Sequence, residues 1–402
     1  MNILFVTMVP FESNTSATIQ NKGIIKGFVD LGHNVDVITI EPRVDSISYD
    51  DSMNDIYNNI RNQYFIKLNS NYAAVMQKKH NNQANNINVT TINLKTSIRN
   101  IVKKIYDSVA IYDAQQTNVK QVSKLEIQYE FYDFIVSASD PKSSHLIVSR
   151  ILKNNPGIKA KWIQYWGDPM FNDITRKKDW RDSLVKYHEN KLISKADKVI
   201  YASPLTLNIQ KLTYPNHSCK MDYASQVYVS GTVKNNISKT INNSKIEVGY
   251  FGAYDSKIRN IKPLYDAALT SEYNLNICGP SDIKLKSTKN IKINGKVTYK
   301  IAVKMEEKSD ILVTICNSTG TQIPGKIYYC AGYDKPIIVV LDGEYKLELR
   351  KYLESFNRYI LCDNDPISIK KAIDNAVKKL NDNSFEISTQ LTPKYMAKRI
   401  LE

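Results

Sequence analysis

Two observations predict an α/β protein made of two doubly wound domains. Apolar runs of strand length alternate with helical segments along the chain. Because these runs are apolar on both faces, they suit strands buried in a parallel sheet that helices cover. At 402 residues the chain also exceeds what one hydrophobic core usually serves. The pattern pauses at a polar stretch rich in Asn and Ser and then restarts, which predicts domains over 1–229 and 246–385 with a linker at 230–245.

The N-terminal domain is predicted from five strand-length runs. They are NILFVT at 2–7, NVDVITI at 34–40, DFIVSAS at 133–139, KWIQYW at 161–166 and KVIYAS at 198–203. Between the first two, Thr15 or Ser16 can cap a helix that Gly32 ends. A later helix can begin at Ser143 or Ser144 and end before Pro156.

An insertion rich in Asn and Lys interrupts this domain from about residue 50 to 128. Within it, apolar side chains recur on one helical face while most basic ones lie off that face. The apolar set is Leu94, Ile98, Ile101, Val102, Ile105, Val109 and Tyr112. This basic amphipathic helix is expected either to pack on the N-terminal domain or to dock on an anionic membrane surface.

The C-terminal domain repeats the pattern with strands at 245–252, 273–279 and 310–316 and helices near 261–271 and 298–308. The run Ile323–Val340 then joins a glycine-containing turn, a short helix and a buried strand. The first amides of a helix have no intrahelical partner, so Gly325 and Lys326 can hold a phosphate there; an ordinary strand-to-helix connection is the alternative. Two such domains form a cleft at the carboxyl ends of their strands. A last helix within 386–402 can pack back on the N-terminal domain.

Composition narrows the class of protein. The net charge of +15 favours partners with negative charge. No nucleic-acid motif is present, so nucleic acid is not an expected partner. No apolar run is long enough to span a membrane, and the first residues resemble a strand more than a signal peptide. The five cysteines lack metal-ligand spacing, and neither GxGxxG nor GxxxxGK[ST] occurs. We therefore expect a cytoplasmic protein without a bound metal, and neither a nicotinamide enzyme nor a P-loop ATPase.

Two segments of the C-terminal half resemble the donor-binding half of GT-B glycosyltransferases, of the family 4 type that makes bacterial capsule and exopolysaccharide. They are VGYFGAYDSKIRNIKPLYDA at 248–267 and QIPGKIYYCAGYDKPIIVV at 322–340. DLGHNVDVITI, WGDPMFNDI and ADKVIYASPLT in the first half are also similar to that family. The resemblance covers nearly the whole chain except the insertion. It implies two Rossmann-like domains facing a cleft.

The same resemblance implies transfer of a sugar from a nucleotide diphosphate sugar, expected to be a UDP-sugar, to a saccharide or lipid-linked acceptor in cell-surface polysaccharide synthesis. It further implies retention of the anomeric configuration and no cofactor. The protein would work in the cytoplasm or peripherally at the inner face of the cell membrane. A non-catalytic partner subunit or saccharide-binding protein of the same fold is the alternative. A nucleotide-sugar epimerase is a third reading, which the lack of a suitable carboxylate pair disfavours.

The resemblance also suggests the donor site. Arg259 matches the lysine of the family's phosphate-binding pair, while Ala253 stands at the position of its arginine. Lys326 can supply the second charge. Thr321 and Tyr329 stand where the family usually has two glutamates, which motivates the non-catalytic alternative. The expected donor-binding residues are Gly252, Arg259, Gly279, Gly320, Thr321, Gln322, Pro324, Gly325, Lys326 and Tyr329.

Loops that follow strands of the N-terminal domain supply acceptor-side candidates. Ser13, Asn14 and Thr15 follow the first strand, although helix capping explains them equally well. Lys142, Ser143 and Trp166 lie at or after later strand ends. His145 can assist a proton transfer and Asp168 can accept a proton from an acceptor hydroxyl, with capping as the alternative for His145. The predicted catalytic set is His145, Asp168, Arg259 and Lys326.

Overall fold

The computed structural model describes residues 1–46, 48–53, 60–68, 108–228, 245–380 and 385–402. Most of the predicted amphipathic helix and all but the last residue of the predicted linker lie outside these ranges. No helix in the described ranges has the length and apolar character needed to cross a membrane.

The N-terminal half forms a seven-stranded, all-parallel sheet in the order β3-β2-β1-β4-β5-β6-β7. Its strands are β1 (Asn2–Val6), β2 (Asn34–Ile40), β3 (Asn62–Ile66), β4 (Phe134–Ser139), β5 (Lys161–Trp166), β6 (Lys198–Tyr201) and β7 (Met221–Tyr223). Among the described residues of this half, the helices are α1 (Ser16–Asp30), α2 (Ser143–Asn154), α3 (Asp182–Lys195) and α4 (Pro204–Thr213). A 3-10 segment, Ala114–Lys124, packs against α2.

The C-terminal half forms a six-stranded, all-parallel sheet in the order β10-β9-β8-β11-β12-β13. Its strands are β8 (Glu247–Phe251), β9 (Asn274–Cys278), β10 (Ile291–Asn294), β11 (Ile311–Ile315), β12 (Ile337–Leu341) and β13 (Ile360–Asp363). The helices are α5 (Lys262–Leu269), α6 (Tyr299–Lys308), α7 (Gly325–Tyr329), α8 (Lys346–Glu354), α9 (Pro366–Leu380) and α10 (Pro393–Leu401).

The structure confirms the predicted α/β class with two parallel sheets. In each sheet the strand order reverses beside a central strand, β1 in the first and β8 in the second, as in doubly wound folds. The strands that sequence analysis missed are β3, β7, β10 and β13, which are the four sheet edges. Edge strands are only half covered, so they lack the continuous apolar run that predicted the central strands.

Helix α1 begins and ends as its sequence predicts. The Thr15 hydroxyl oxygen accepts a hydrogen bond from the Thr18 amide at 3.2 Å, and Gly32 adopts a positive φ of 81° after the last turn. Helix α2 starts at Ser143, but a distant residue satisfies its first amide. The Ser143 N–H donates to Asp113 Oδ2 at 2.9 Å, so the tertiary fold supplies this cap.

The C-terminal helix α10 packs on α1 of the N-terminal half. A Cβ added at Gly27 would lie 2.1 Å from the Pro393 carbonyl oxygen and 2.8 Å from Ala397 Cβ, so only glycine allows this approach. Ile400 is fully buried in the core of the N-terminal sheet. Lys198 Nζ donates to the Ile400 carbonyl at 3.3 Å. The chain therefore crosses back from the second sheet to the first.

Candidate functional site

A cavity of about 340 Å³ lies where segments that follow strands of both sheets face each other. The N-terminal wall consists of Asn14, Thr15, Ser16 and Ile19, from the end of the loop after β1 and the start of α1. The opposite wall consists of Phe251, Gly252, Ala253, Arg259, Cys278, Gly279, Pro280, Lys296, Val297, Tyr299, Ala302, Pro324, Gly325, Lys326 and Tyr329. This is the place where open α/β sheets bind ligands.

Two backbone loops meet at the C-terminal wall. The Gly252 amide donates to the Cys278 carbonyl oxygen at 2.9 Å. A Cβ added at Gly279 would lie 2.0 Å from the Gly252 carbonyl oxygen. Because no larger residue fits there, the loops after β8 and β9 form a surface of backbone atoms and small side chains that a ligand can approach closely.

Arg259 supplies a fixed positive charge to the cavity. Its guanidinium donates to the Ala253 carbonyl oxygen and to Asn317 Oδ1, both at 2.8 Å. Asn317 is held in turn because its Nδ2 donates to the Gln322 carbonyl oxygen at 2.8 Å. Arg259 Nε is buried and has no hydrogen-bond partner among the described residues, and no carboxylate in those ranges forms a salt bridge with this side chain. The arginine is therefore oriented by neutral groups and keeps its charge for an anion.

Lys296 and Lys326 also place ammonium groups at the cavity wall, and Lys326 is paired with a carboxylate. Its Nζ donates to Glu306 Oε1 at 2.5 Å, and Glu306 Oε2 accepts from the Tyr333 hydroxyl at 2.8 Å. Burial lowers the pKa of Lys326, but the Glu306 carboxylate outweighs it and raises the pKa above its ordinary value. Lys326 is therefore charged at neutral pH and partly neutralised by Glu306. Sequence analysis did not identify Glu306, because nothing in its helix distinguishes it from a solvent-exposed glutamate.

Tyr329 lines the cavity, but its hydroxyl group hydrogen-bonds to residues of the N-terminal domain. That hydroxyl lies 2.9 Å from the Ser16 carbonyl oxygen and 2.7 Å from Gln226 Oε1. Thr321 also faces the N-terminal half, because its carbonyl oxygen accepts from the Ser203 and Thr206 hydroxyls at 3.2 Å each. Thr321 and Tyr329, which stand where the family usually has glutamates, therefore make hydrogen bonds between the two domains.

Gly320 and Gln322, like Thr321, are not brought into the cavity. A Cβ added at Gly320 would lie 2.0 Å from Ile174 Cγ2, and the residue has a φ of 70°. Gln322 Oε1 accepts from the Ile174 amide at 3.1 Å, and its side chain also hydrogen-bonds Asp168. The turn at 320–322, which was expected to bind the donor, therefore makes contacts between the two domains.

Asp168 lies at the domain interface, and its pKa is higher than that of an ordinary aspartate. Burial raises the pKa of Asp168 to about 7, and Asp140 and Asp173 add to that rise, whereas Lys142 opposes it. Lys142 pairs with Asp140 and its Nζ lies 4.0 Å from Asp173. A carboxyl group that titrates near neutral pH can take up or release a proton at this interface, although Asp168 is not among the residues that line the cavity.

The structure places three other candidates in the core of the N-terminal domain, which corrects the expectation that they face an acceptor. His145, Ser143 and Trp166 are fully buried. Ser137 Oγ accepts from Trp162 Nε1 at 2.8 Å and shares a hydrogen bond with His145 Nδ1, also at 2.8 Å. Burial lowers the pKa of His145 well below its ordinary value, and its ring packs 4.3 Å from that of Trp166. The prediction was wrong for these residues because a position at the end of a strand does not determine whether the side chain points into the cleft or into the core.

Other predicted residues lie at the cavity or beside it. Of the acceptor-side loop, Asn14 and Thr15 line the cavity, while Ser13 lines a separate cavity of about 90 Å³. Sequence analysis placed Tyr299 at the start of the helix predicted near 298–308 but did not identify it as a cavity residue. The Tyr299 amide donates to Asp50 Oδ2 at 2.6 Å, and Asn14 Nδ2 donates to the same oxygen at 3.1 Å. Asp50 therefore joins both walls of the cavity.

This arrangement defines a GT-B fold, two Rossmann-like domains facing a cleft, and solved structures share it. HepE of Anabaena in complex with UDP aligns over 100% of this chain and 98% of that one, with a TM-score of 0.56 and 11% identity. The catalytic domain of Arabidopsis thaliana starch synthase IV, bound to ADP and acarbose, aligns over 98% and 94%, with a TM-score of 0.56 and 10% identity. The N-terminal domain of Candida albicans trehalose-6-phosphate phosphatase aligns over 100% and 96%, with a TM-score of 0.57 and 10% identity. No known family and no curated protein matches the sequence.

Proposed function

We propose that the protein is a glycosyltransferase that binds a nucleotide diphosphate sugar in the cavity between its domains. The observation that carries this proposal is Arg259, a cation oriented by neutral groups at a cleft where both sheets end. Structures of the same fold that contain UDP or ADP support it. We infer a UDP-sugar as donor and transfer of a hexosyl group with retention.

In the proposed reaction, negative charge grows on the leaving diphosphate as the glycosidic bond breaks. Arg259 stabilises that charge, Lys326 adds to it, and the backbone around Gly252 and Gly279 lets the diphosphate approach closely. These groups take the role of a metal, so we propose that the enzyme uses neither a bound metal nor another cofactor. Asp168 accepts the proton of the acceptor hydroxyl, because its pKa of about 7 suits proton transfer at neutral pH.

The acceptor is proposed to be a saccharide, either free or linked to a lipid, in the synthesis of a cell-surface polysaccharide. The net charge of +15 suits both an anionic donor and a lipid-phosphate acceptor. We place the protein in the cytoplasm, peripheral to the inner face of the membrane, with no nucleic-acid partner.

Calorimetry with UDP, GDP, ADP and their sugars tests the donor site, and chromatography of the reaction with the best binder tests turnover. Binding of one nucleotide class, followed by sugar release or transfer, is the expected result. Absence of binding by every nucleotide would contradict the proposal.

A second candidate is a non-catalytic partner subunit or saccharide-binding protein of the same fold. Thr321 and Tyr329 favour it, because neither provides a carboxylate and both are occupied in contacts between the domains. Saccharide binding without any nucleotide binding would support this candidate. Nucleotide-sugar binding followed by transfer would reject it.

A further inference from the structure

We propose that an exposed aromatic and basic surface on the N-terminal domain docks the protein onto an anionic lipid bilayer. We call it the α3 surface, and it comprises Lys177, Lys178, Trp180, Leu184, Lys186, Tyr187 and Lys191. Trp180 is 72% exposed, whereas Trp162 and Trp166 are fully buried. Tyr187 is 57% exposed. Exposed aromatic side chains beside lysines are typical of a surface that binds a partner with both apolar and negatively charged groups.

Two of the apolar side chains of this surface share one helical face. Leu184 and Tyr187 are three residues apart on α3, which places them on the same helical face. Trp180 lies in the turn just before the helix. The buried face of α3 is built from other residues, namely Val185, Glu189, Leu192 and Ile193. The exposed set is therefore not needed to hold the helix in place.

The charge of the surface selects lipid as the partner. Lys177 and Lys178 are exposed, and Lys191 Nζ lies 6.0 Å from the Tyr187 ring centroid. The nearby carboxylates are already paired, Asp179 with Arg181 at 2.6 Å and Asp182 with Arg176. Lysines beside Trp and Tyr suit a bilayer interface, where the rings lie among headgroups and the ammonium groups attract anionic lipids. Protein interfaces are by contrast depleted in lysine.

The surface lies next to the cleft. Residues 167–181 connect the carboxyl end of β5 to α3, and Ile174 in this segment contacts Gln322 of the other domain at 3.1 Å. Arg181 donates to the Ala110 carbonyl oxygen at 2.9 Å, which brings the exposed neighbour Val109 to the same region. A lipid-borne acceptor could therefore enter the cleft directly from the bilayer. This last step rests on the proposed function, whereas docking itself does not.

Sedimentation of the full-length protein with vesicles tests docking without any substrate. Vesicles of phosphatidylglycerol and phosphatidylcholine in equal parts are compared with vesicles of phosphatidylcholine alone. We expect binding to the anionic vesicles and a blue shift of tryptophan emission, which reports Trp180 because the other two tryptophans are already buried. Binding without a blue shift would contradict insertion of this surface.

Variants separate this surface from other sources of binding. W180A with Y187A should weaken binding to anionic vesicles about tenfold, because two apolar anchors are lost. K177Q with K178Q should weaken binding to the anionic vesicles and reduce its salt dependence, because two of the four lysines of the surface lose their charge. Leu347→Ala, at an equally exposed site on the C-terminal domain, is the matched control and should bind like the wild type.

Two further outcomes would overturn the proposal. Wild-type binding by the W180A/Y187A protein would place membrane contact elsewhere. A wild-type dimer that the same variant loses, with no vesicle binding by either, would assign the surface to a second copy of the chain. Circular dichroism and the thermal midpoint establish that each variant is folded. A variant that loses vesicle binding but still binds nucleotide, or a variant with the opposite behaviour, distinguishes membrane docking from the proposed function.

Discussion

Replacing Arg259 with Ala should weaken UDP binding. Its two terminal nitrogens each donate one hydrogen bond to a neutral group of the protein, so further N–H donors of the guanidinium remain for a diphosphate. One charge-assisted hydrogen bond contributes about 1.5 to 3 kcal/mol. The dissociation constant should therefore rise roughly 10- to 150-fold, measured by isothermal titration calorimetry at low salt.

Lys257→Ala is the matched control for this measurement. Lys257 lies two residues earlier in the same loop and is exposed, and its hydrogen bonds within the described part of the chain use only backbone atoms, which alanine keeps. It should bind UDP nearly as the wild type does, with a small change that disappears at higher salt. Unchanged affinity in R259A would remove Arg259 from the site. An equal loss in K257A would show that general positive charge, and not an oriented guanidinium, holds the ligand.

Three further predictions concern stability, measured by urea unfolding. Glu306→Gln should destabilise the protein by roughly 1 to 3 kcal/mol, because Lys326 loses its charged partner. Because burial raises the pKa of Asp168 to about 7, the folded state holds more protons than the unfolded one between about pH 4 and 7. Stability should therefore fall as pH rises through that window, and Asp168→Asn should flatten the fall. Gly27→Ala should cost about 1 to 3 kcal/mol, because its Cβ would meet the backbone of α10, whereas Gly157→Ala, with nothing within 4 Å, should change little.

Each of these has an outcome that contradicts it. Wild-type stability in E306Q would mean that Lys326 finds another partner. A pH slope that persists unchanged in D168N would assign the proton uptake to a different group. Equal effects of the G27A and G157A substitutions would show that α10 is not held by its close approach to α1. Because all three measurements are made without ligand, they are independent of the proposed activity.

The apolar pattern predicted the central strands because those strands are covered on both faces. The run NILFVT became β1, and the run DFIVSAS became β4, in the middle of the first sheet. The edge strands were not predicted because they are not covered on both faces. In β3, for example, only Ile66 is fully covered, so its residues NQYFI do not form a continuous apolar run. The pattern therefore predicts buried strands well and edges poorly.

The sequence by itself determined the doubly wound architecture and much of the C-terminal wall of the cavity, including Arg259, Gly325 and Lys326. Local composition encodes the strands and the glycine-containing turn because these depend on neighbouring residues, whereas Arg259 was predicted from the family resemblance. Only the tertiary structure decided which strand-end side chains face the cleft, that His145 is interior, and that Glu306 pairs with Lys326. Those outcomes depend on groups distant in the chain, whose approach is set by packing and desolvation and not by spacing in the sequence.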